Sequence, residues 1–375
     1  RAAPDREPGA ERAAAPAEAK GVPPLRVDPP TRLRWKGQDR GLDEVLAGVR
    51  DDFNELRRPV ADSECPIVGG NVERNRIAPS SIDGLGMLWR FPYRTPHTET
   101  GGEPARRDVD DDARDAIIQP VVSGEFVFVQ RFREVVALRR STGEIVWRSS
   151  SEEPRNTDAE MLGDLPPGWD AVTVCDDRVY ASLPPTGREG AASTVPPPEI
   201  VCLNANTGGM VWRTRDTLLD ARVGEVSFDS TPVVENNNVF VAARRRRSFG
   251  FEDCYLYNLS ARTGKLQAQT HLGGASTGGF GTQPAPKTAV CLHGDTVFVT
   301  SNLGTIAAVS AYTGSVKWLR LYARTAQDAD RGLGRSANET PPWVFHGPIW
   351  RDDRLIALPM DASSLMVLAA EDGQI

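Results

Sequence analysis

One short phrase recurs along the chain. It reads STGEIVW at Ser141–Trp147, NTGGMVW at Asn206–Trp212, RTGKLQA at Arg262–Ala268 and YTGSVKW at Tyr312–Trp318. A fifth copy, EDGQI, covers Glu371–Ile375. The glycines of the copies, Gly143, Gly208, Gly264, Gly314 and Gly373, stand roughly 50 to 65 residues apart, a period that signals stacked or circular repeats. A unit repeated in this way confines the chain to very few architectures.

Each unit reads as four strands. Short apolar runs precede every glycine: Val135–Leu138, Ile200–Leu203, Leu256–Leu259, Ile306–Val309 and Leu365–Leu368. Runs of four bounded by turn residues are buried strands rather than helices. After the glycine, apolar residues alternate, as in Ile145 then Trp147, Met210 then Trp212, Val316 then Trp318, which is the period of a strand. The Thr-Gly pairs Thr142-Gly143, Thr207-Gly208, Thr263-Gly264 and Thr313-Gly314 supply the turn between them. A second hairpin lies upstream in every copy, in Pro120–Val129, Val172–Ala181, Pro232–Val241, Ala289–Val299 and Pro348–Leu358. Four-stranded antiparallel units this thin must stack on their neighbours, and arranged radially they are propeller blades. The expected fold is all-β: a β-propeller with about five blades visible over residues 85–375, a β-sandwich being the competitor.

Residues 1–38 are rich in Ala, Pro, Arg and Glu and read as a disordered linker. Within 39–84, Leu42, Val45, Leu46, Val49, Phe53 and Leu56 form the stripe of an amphipathic helix over Asp39–Arg58, ended by Pro59. An irregular lead-in follows, and LWRFPY (Leu88–Tyr93) reads as a strand given to the ring. The chain opens on Arg rather than Met and stops within its fifth repeat, so it reads as a piece of a longer protein.

The net charge of −7 argues against a nucleic-acid binder, and without a run of 18 apolar residues no transmembrane segment is expected. Cys65, Cys175, Cys202, Cys254 and Cys291 are widely spaced and read as buried thiols, with a disulfide between blades as the other possibility. The four histidines, His97, His271, His293 and His346, share no ligand-like spacing. DVDDDARD (Asp108–Asp115) alternates carboxylates like a Ca²⁺ loop. Ala113 and Gln119 stand where that loop needs Gly and Glu, so a solvated acidic loop is expected. Arg244, Arg245, Arg246 and Arg247 read as a basic loop that could grip an acidic partner.

The repeats ALRRSTGEIVW (Ala137–Trp147), CLNANTGGMVW (Cys202–Trp212) and AVSAYTGSVKW (Ala308–Trp318) resemble the tryptophan-docking motif of the pyrroloquinoline-quinone (PQQ) type propellers. IVGGNVERNR (Ile67–Arg76) also looks like the lead-in of those proteins. Members usually have seven or eight blades. The resemblance implies that Trp147, Trp212 and Trp318 wedge between blades, and that the protein is extracytoplasmic: periplasmic, cell-surface or secreted. This chain departs from the motif at Arg139, Asn204 and Ser310, where Asp is usual, and at Ala268, where Trp is.

The family divides between quinoprotein dehydrogenases, which hold PQQ and Ca²⁺ at the ring centre, and non-catalytic propellers. The dehydrogenases commonly carry an adjacent Cys-Cys pair, which this chain lacks. The expectation is therefore a non-catalytic scaffold binding proteins through its rim loops, with no cofactor, catalytic residue or metal. The alternative is a PQQ- and calcium-dependent dehydrogenase of alcohols or sugars. The loops Ser149–Gly168, Pro184–Glu199, Ala243–Asp253 and Ala323–Pro342 are the longest candidates for recognition.

Overall fold

The computed structural model describes residues 32–35, 38–41, 44–45, 66–74, 76, 88–91, 119–131, 134–149, 171–184, 197–218, 226–228, 230–247, 250–276, 288–324 and 347–375. Two compact units divide the chain, residues 1–59 and Val60–Ile375.

In the first unit, β1 (Arg32–Trp35) pairs antiparallel with β2 (Gln38–Gly41). This corrects the sequence reading twice, since a hairpin stands in the expected linker and at the expected start of the helix. Glu44 and Val45 are helical and Val45 is buried; the rest of the helix stripe lies outside the described residues.

The second unit is an all-β propeller. Blade 1 is β3 (Val121–Ser123), β4 (Phe126–Arg131), β5 (Glu134–Arg139) and β6 (Ile145–Arg148), hydrogen-bonded in chain order. Blade 2 repeats this with β7 (Thr173–Cys175), β8 (Arg178–Leu183), β9 (Glu199–Asn204) and β10 (Met210–Arg213), followed by the one-turn helix α1 (Thr214–Thr217). Blade 3 has β12 (Val233–Glu235), β13 (Asn238–Arg246), β14 (Phe251–Ser260) and β15 (Leu266–Ser276), with a short extra strand, β11 (Val226–Ser227), beside β13. Blade 4 is β16 (Ala289–His293), β17 (Thr296–Thr300), β18 (Thr305–Ser310) and β19 (Val316–Leu321). Three strands of blade 5 are described, β20 (Ile349–Arg351), β21 (Arg354–Ala357) and β22 (Met366–Ala369). The first strands of successive blades lie side by side, β3 by β7, β7 by β12, β12 by β16 and β16 by β20, which is the inner wall of a ring.

Local chemistry sets these hairpins. Asp176-Asp177, Asn236-Asn237 and Asp352-Asp353 each join a first strand to a second with both residues at positive φ, between 48° and 61°. Such two-residue turns match the right-handed twist of the strands, and Asn and Asp tolerate them best after Gly. Of the expected strand Leu88–Tyr93, the described part Leu88–Phe91 has no ladder among the described residues, and Leu88 is exposed; its last two residues lie outside the described residues.

The outer corner of each blade repeats one geometry. Gly143, Gly208, Gly264, Gly314 and Gly373 all have φ between 68° and 73° and donate their N–H to the carbonyl four residues earlier. The tryptophan of the preceding blade lies on Gly208, Gly264 and Gly373. A Cβ built on Gly208 would stand 2.6 Å from the Trp147 ring, and one on Gly264 2.5 Å from the Trp212 ring. The indole N–H then donates to the carbonyl three residues before that glycine. Trp147 reaches Ala205 O at 2.8 Å, Trp212 reaches Ala261 O at 2.9 Å, and Trp318 reaches Ala370 O at 2.9 Å. Trp147 and Trp212 are buried, whereas Trp318 is only partly so. A buried indole of this kind contributes about 2–3 kcal/mol from apolar burial, and its hydrogen bond roughly 1 more.

Gly208→Ala should therefore destabilise by on the order of 3 kcal/mol, since it combines positive-φ strain with a clash against Trp147. Gly124 has φ 56° but nothing within 4 Å of an added Cβ, so Gly124→Ala should cost only about 1 kcal/mol. Thermal melts of the two variants compare them directly. Equal losses would contradict the docking account.

Candidate interaction surface

Blade 3 outgrows its neighbours. Its β13, β14 and β15 run 9, 10 and 11 residues, against 6, 6 and 4 in blade 1. The excess carries the sheet past the described strands of blade 1, with β11 pairing Val226 to Arg245 and Ser227 to Arg244. At its tip, Arg246, Arg247 and Phe251 are exposed.

Buried carboxylates hold this extension. Glu252 and Arg244, both buried, lie 3.5 Å apart, and Arg246 reaches the other Glu252 oxygen at 3.4 Å. Buried Asp253 accepts from Arg247 and from Tyr255 Oη, and His271 Nε2 sits 3.2 Å from its Oδ1. A bulge between His271 and Gly273 turns Leu272 into the core while leaving His271 at the surface. The arginine run was expected in a loop, but three of its four residues belong to a strand. Arg244–Arg246 complete strand β13; Arg244 and Arg246 share one face of it, and exposure rises from buried Arg244 to exposed Arg246 toward the end of the strand. Only the pattern of carboxylates at 252 and 253, opposite the arginines across the hairpin, hinted at this pairing.

The chain's own lead-in, residues 66–74, bonds to the inner edges of three blades. Val174 donates to Pro66 O at 2.8 Å, Leu292 to Val72 O at 2.9 Å and Trp350 to Glu73 O at 3.2 Å. Arg74 Nε donates to Val290 O at 2.7 Å, and burial lowers its guanidinium pKa to about 10. Val68 packs with Ala171, Ala289 and Met360 at the starts of inner strands and beside them. These residues therefore belong with the propeller rather than with the helix-bearing segment before it.

A PQQ–Ca²⁺ group would need several oxygen ligands here. Asp361, next to Met360, already accepts from Tyr322 Oη at 2.5 Å and from Arg324 Nε at 2.9 Å; Asn302 Oδ1 accepts from Met360 N at 3.0 Å. Among the described residues no group of three or more His, Cys, Asp and Glu could share a metal. With these oxygens committed to the chain's own donors, the described inner edge does not fit the group.

Other expectations find their places. Cys175, Cys202, Cys254 and Cys291 are thiols rather than disulfides; burial pushes Cys202 up to about 11 and Cys291 up to about 12, so both stay protonated at neutral pH. His271 and His293 lie apart, His293 stacking on Trp350 at 3.4 Å. Cys65, His97, His346 and the acidic run Asp108–Asp115 lie outside the described residues, as do most of Ser149–Gly168, Pro184–Glu199 and Ala323–Pro342. Sequence reasoning missed Trp89, whose ring lies on Gly143 and whose N–H reaches Arg140 O at 2.8 Å. No Thr-Gly turn precedes Trp89; its spacing from Trp147, close to one repeat, was the available signal.

The family model described as outer membrane protein assembly factor BamB matches residues 86–183 and 169–341, more than half of the chain. The chain belongs to this PQQ-like repeat family. A search of curated proteins gives no match. Among solved structures it is similar to BamB from Moraxella catarrhalis, at 17% identity and TM-score 0.41, covering 68% of this chain and 61% of that one. It is also similar to a europium-containing methanol dehydrogenase, at 15% identity and TM-score 0.52, covering 86% of this chain and 59% of that one. A quinohemoprotein alcohol dehydrogenase from Comamonas testosteroni matches at 15% identity and TM-score 0.47, covering 74% of this chain and 44% of that one. The chain thus spans at most about three fifths of the length of these neighbours. At such identities the likeness is one of fold.

The ion pairs of the extension make a ranked prediction. Arg244→Ala leaves Glu252 buried with a single exposed partner and should cost about 3–5 kcal/mol. Arg246→Ser removes a surface partner and should cost less than about 1 kcal/mol. Urea titrations of both variants test this; similar midpoints would show Arg244 to be as dispensable as a solvated charge.

Proposed function

We propose that this chain is a non-catalytic protein-interaction scaffold. The observation that carries the reading is the blade 3 extension, which presents Arg246, Arg247 and Phe251 on a base braced by buried Glu252 and Asp253. A rigid, basic, partly apolar projection suits an acidic segment of another protein. Membership of a family described by an outer-membrane assembly factor supports the same reading and an extracytoplasmic site of action. No helix among the described residues is long and apolar enough to cross a membrane. The reading uses neither PQQ nor calcium, in keeping with the apolar cluster of Val68, Ala171, Ala289 and Met360 and the committed oxygens of Asp361 beside it.

The test is affinity capture from the source organism's envelope extract with the full chain and with the Arg246→Ser/Arg247→Ser variant, Arg244 being kept because it is buried. Specific acidic partners should be recovered by the wild type and depleted several-fold by the variant. Equal recovery by both, or dye-linked alcohol oxidation once PQQ and Ca²⁺ are added, would overturn the reading.

A further inference from the structure

The outer strands of the blades present different edges. β6 and β10 have four residues each and end on Arg148 and Arg213, and β19 carries Lys317 and Arg320. Shortness and charge are two of the means by which proteins keep a free sheet edge from pairing. β15 has neither safeguard. It is the terminal strand of its sheet, runs 11 residues over Leu266–Ser276, and holds no Lys, Arg, Asp, Glu or Pro.

We propose that the outer edge of β15 takes an added strand, an extended segment of a partner polypeptide with acidic residues at both of its ends. The proposal rests on the scaffold reading and names the conformation and charge of the partner at blade 3.

Hydrogen bonding fixes which groups are on offer. The Ser260 N–H donates to Lys265 O at 2.9 Å, so Ser260 bonds toward β15. In an antiparallel ladder this direction alternates from residue to residue. Asn258, Leu256 and Cys254 therefore bond toward β15 as well, while Tyr257, Tyr255 and Asp253 bond toward β13. The residues opposite those last three, Gln269, His271 and Gly274, turn their own N–H and C=O groups away from β14. Two contacts agree with this phase. The Arg247 N–H donates to Phe251 O at 2.7 Å on the β13 side, and Arg324 Nη1 donates to Ser276 O at 2.8 Å on the outer side. Bulges at Gln267 and Leu272 interrupt the edge without changing the phase, because the extra residues lie in β15 and not in β14. No described residue hydrogen-bonds to the outward backbone groups of Gln269, His271 or Gly274.

Charge names the occupant. At the start of β15, Arg262 and Lys265 are exposed and form no ion pair with a described residue. Beside its end stand exposed Arg246 and Arg247, in a group where four arginines, Arg244–Arg247, meet the two carboxylates of Glu252 and Asp253. A second copy of this chain, paired antiparallel along the same edge, would bring the arginine tip of each copy toward Arg262 and Lys265 of the other, and like charges oppose that pairing. Acidic residues at the two ends of an added strand meet these cations instead. The uncharged edge between them suits a strand of uncharged residues.

The test adds a synthetic peptide, alternating Thr and Val with two Asp at each end, to the full chain and reads residue-resolved hydrogen exchange. The N–H groups of Gln269, His271 and Gly274 should slow about ten-fold or more and saturably, while those of Ala268 and Thr270, already in the ladder, change little. The same peptide with Lys for Asp should bind at least ten-fold more weakly. Gln269→Pro removes an outward donor and no ladder bond, and should abolish the protection. A peptide with Pro at its centre gives the same answer from the other side should that variant fail to fold. No slowing at millimolar peptide, or equal slowing by the Lys-flanked peptide, overturns the proposal. Absent slowing with envelope capture still lost in Arg246→Ser/Arg247→Ser refutes only the added strand; slowing with equal capture by that variant and the wild type refutes the scaffold reading and leaves the edge site standing.

Discussion

An indole lying flat on a glycine, with its N–H given to a carbonyl three residues upstream, joins one blade to the next. A four-stranded sheet of this length cannot bury both faces by itself, so the ring depends on such joints. The joint constrains both partners. The glycine must be at positive φ to close its turn and must lack a Cβ to admit the ring, and Gly208 and Gly264 meet both demands at once. The aromatic residue on each second strand, Phe128, Tyr180 or Phe298, then tilts against the indole and ties the joint to the core of its own blade.

Blade 3 breaks the pattern at both ends. Its outer corner exchanges an alanine–tryptophan pair for asparagine–alanine, so polar contacts from Asn258 and Thr270 replace the docked indole. Its other end is lengthened, braced by buried ion pairs. Those pairs organise rather than strongly stabilise, because desolvation of Arg244 and Glu252 offsets much of their attraction. The blade least bound to the repeat is therefore the one that offers new surface.

Much of this was legible in the sequence. The Thr-Gly columns and the alternation around them locate the strands of every blade, since turn chemistry and period-two burial act over a few residues. The absence of tryptophan at Ala268 was also visible, although not the amide opposite it, because that pairing is set by register across β14 and β15. Longer-range features were hidden. The arginine run reads as a loop until Glu252 and Asp253 face it across the hairpin. The inner-edge role of residues 66–74 could not be read from a short irregular segment, whose hydrogen bonds go to strands more than 100 and 200 residues away. The hairpin of β1 and β2 stood across the boundary of a stretch read as linker and one read as helix.

The central claim, that docked indoles hold the blades together, ranks the joints. Residue-resolved hydrogen exchange on the full chain measures that ranking, because the N–H groups of Gly208, Gly264 and Gly314 make the same turn hydrogen bond, at 2.7–2.9 Å, and differ in what covers them. The account predicts that Gly314, faced by Ala268, exchanges at least ten-fold faster than Gly208 and Gly264, faced by Trp147 and Trp212. Equal protection at the three glycines would show that the indoles are not what closes the ring.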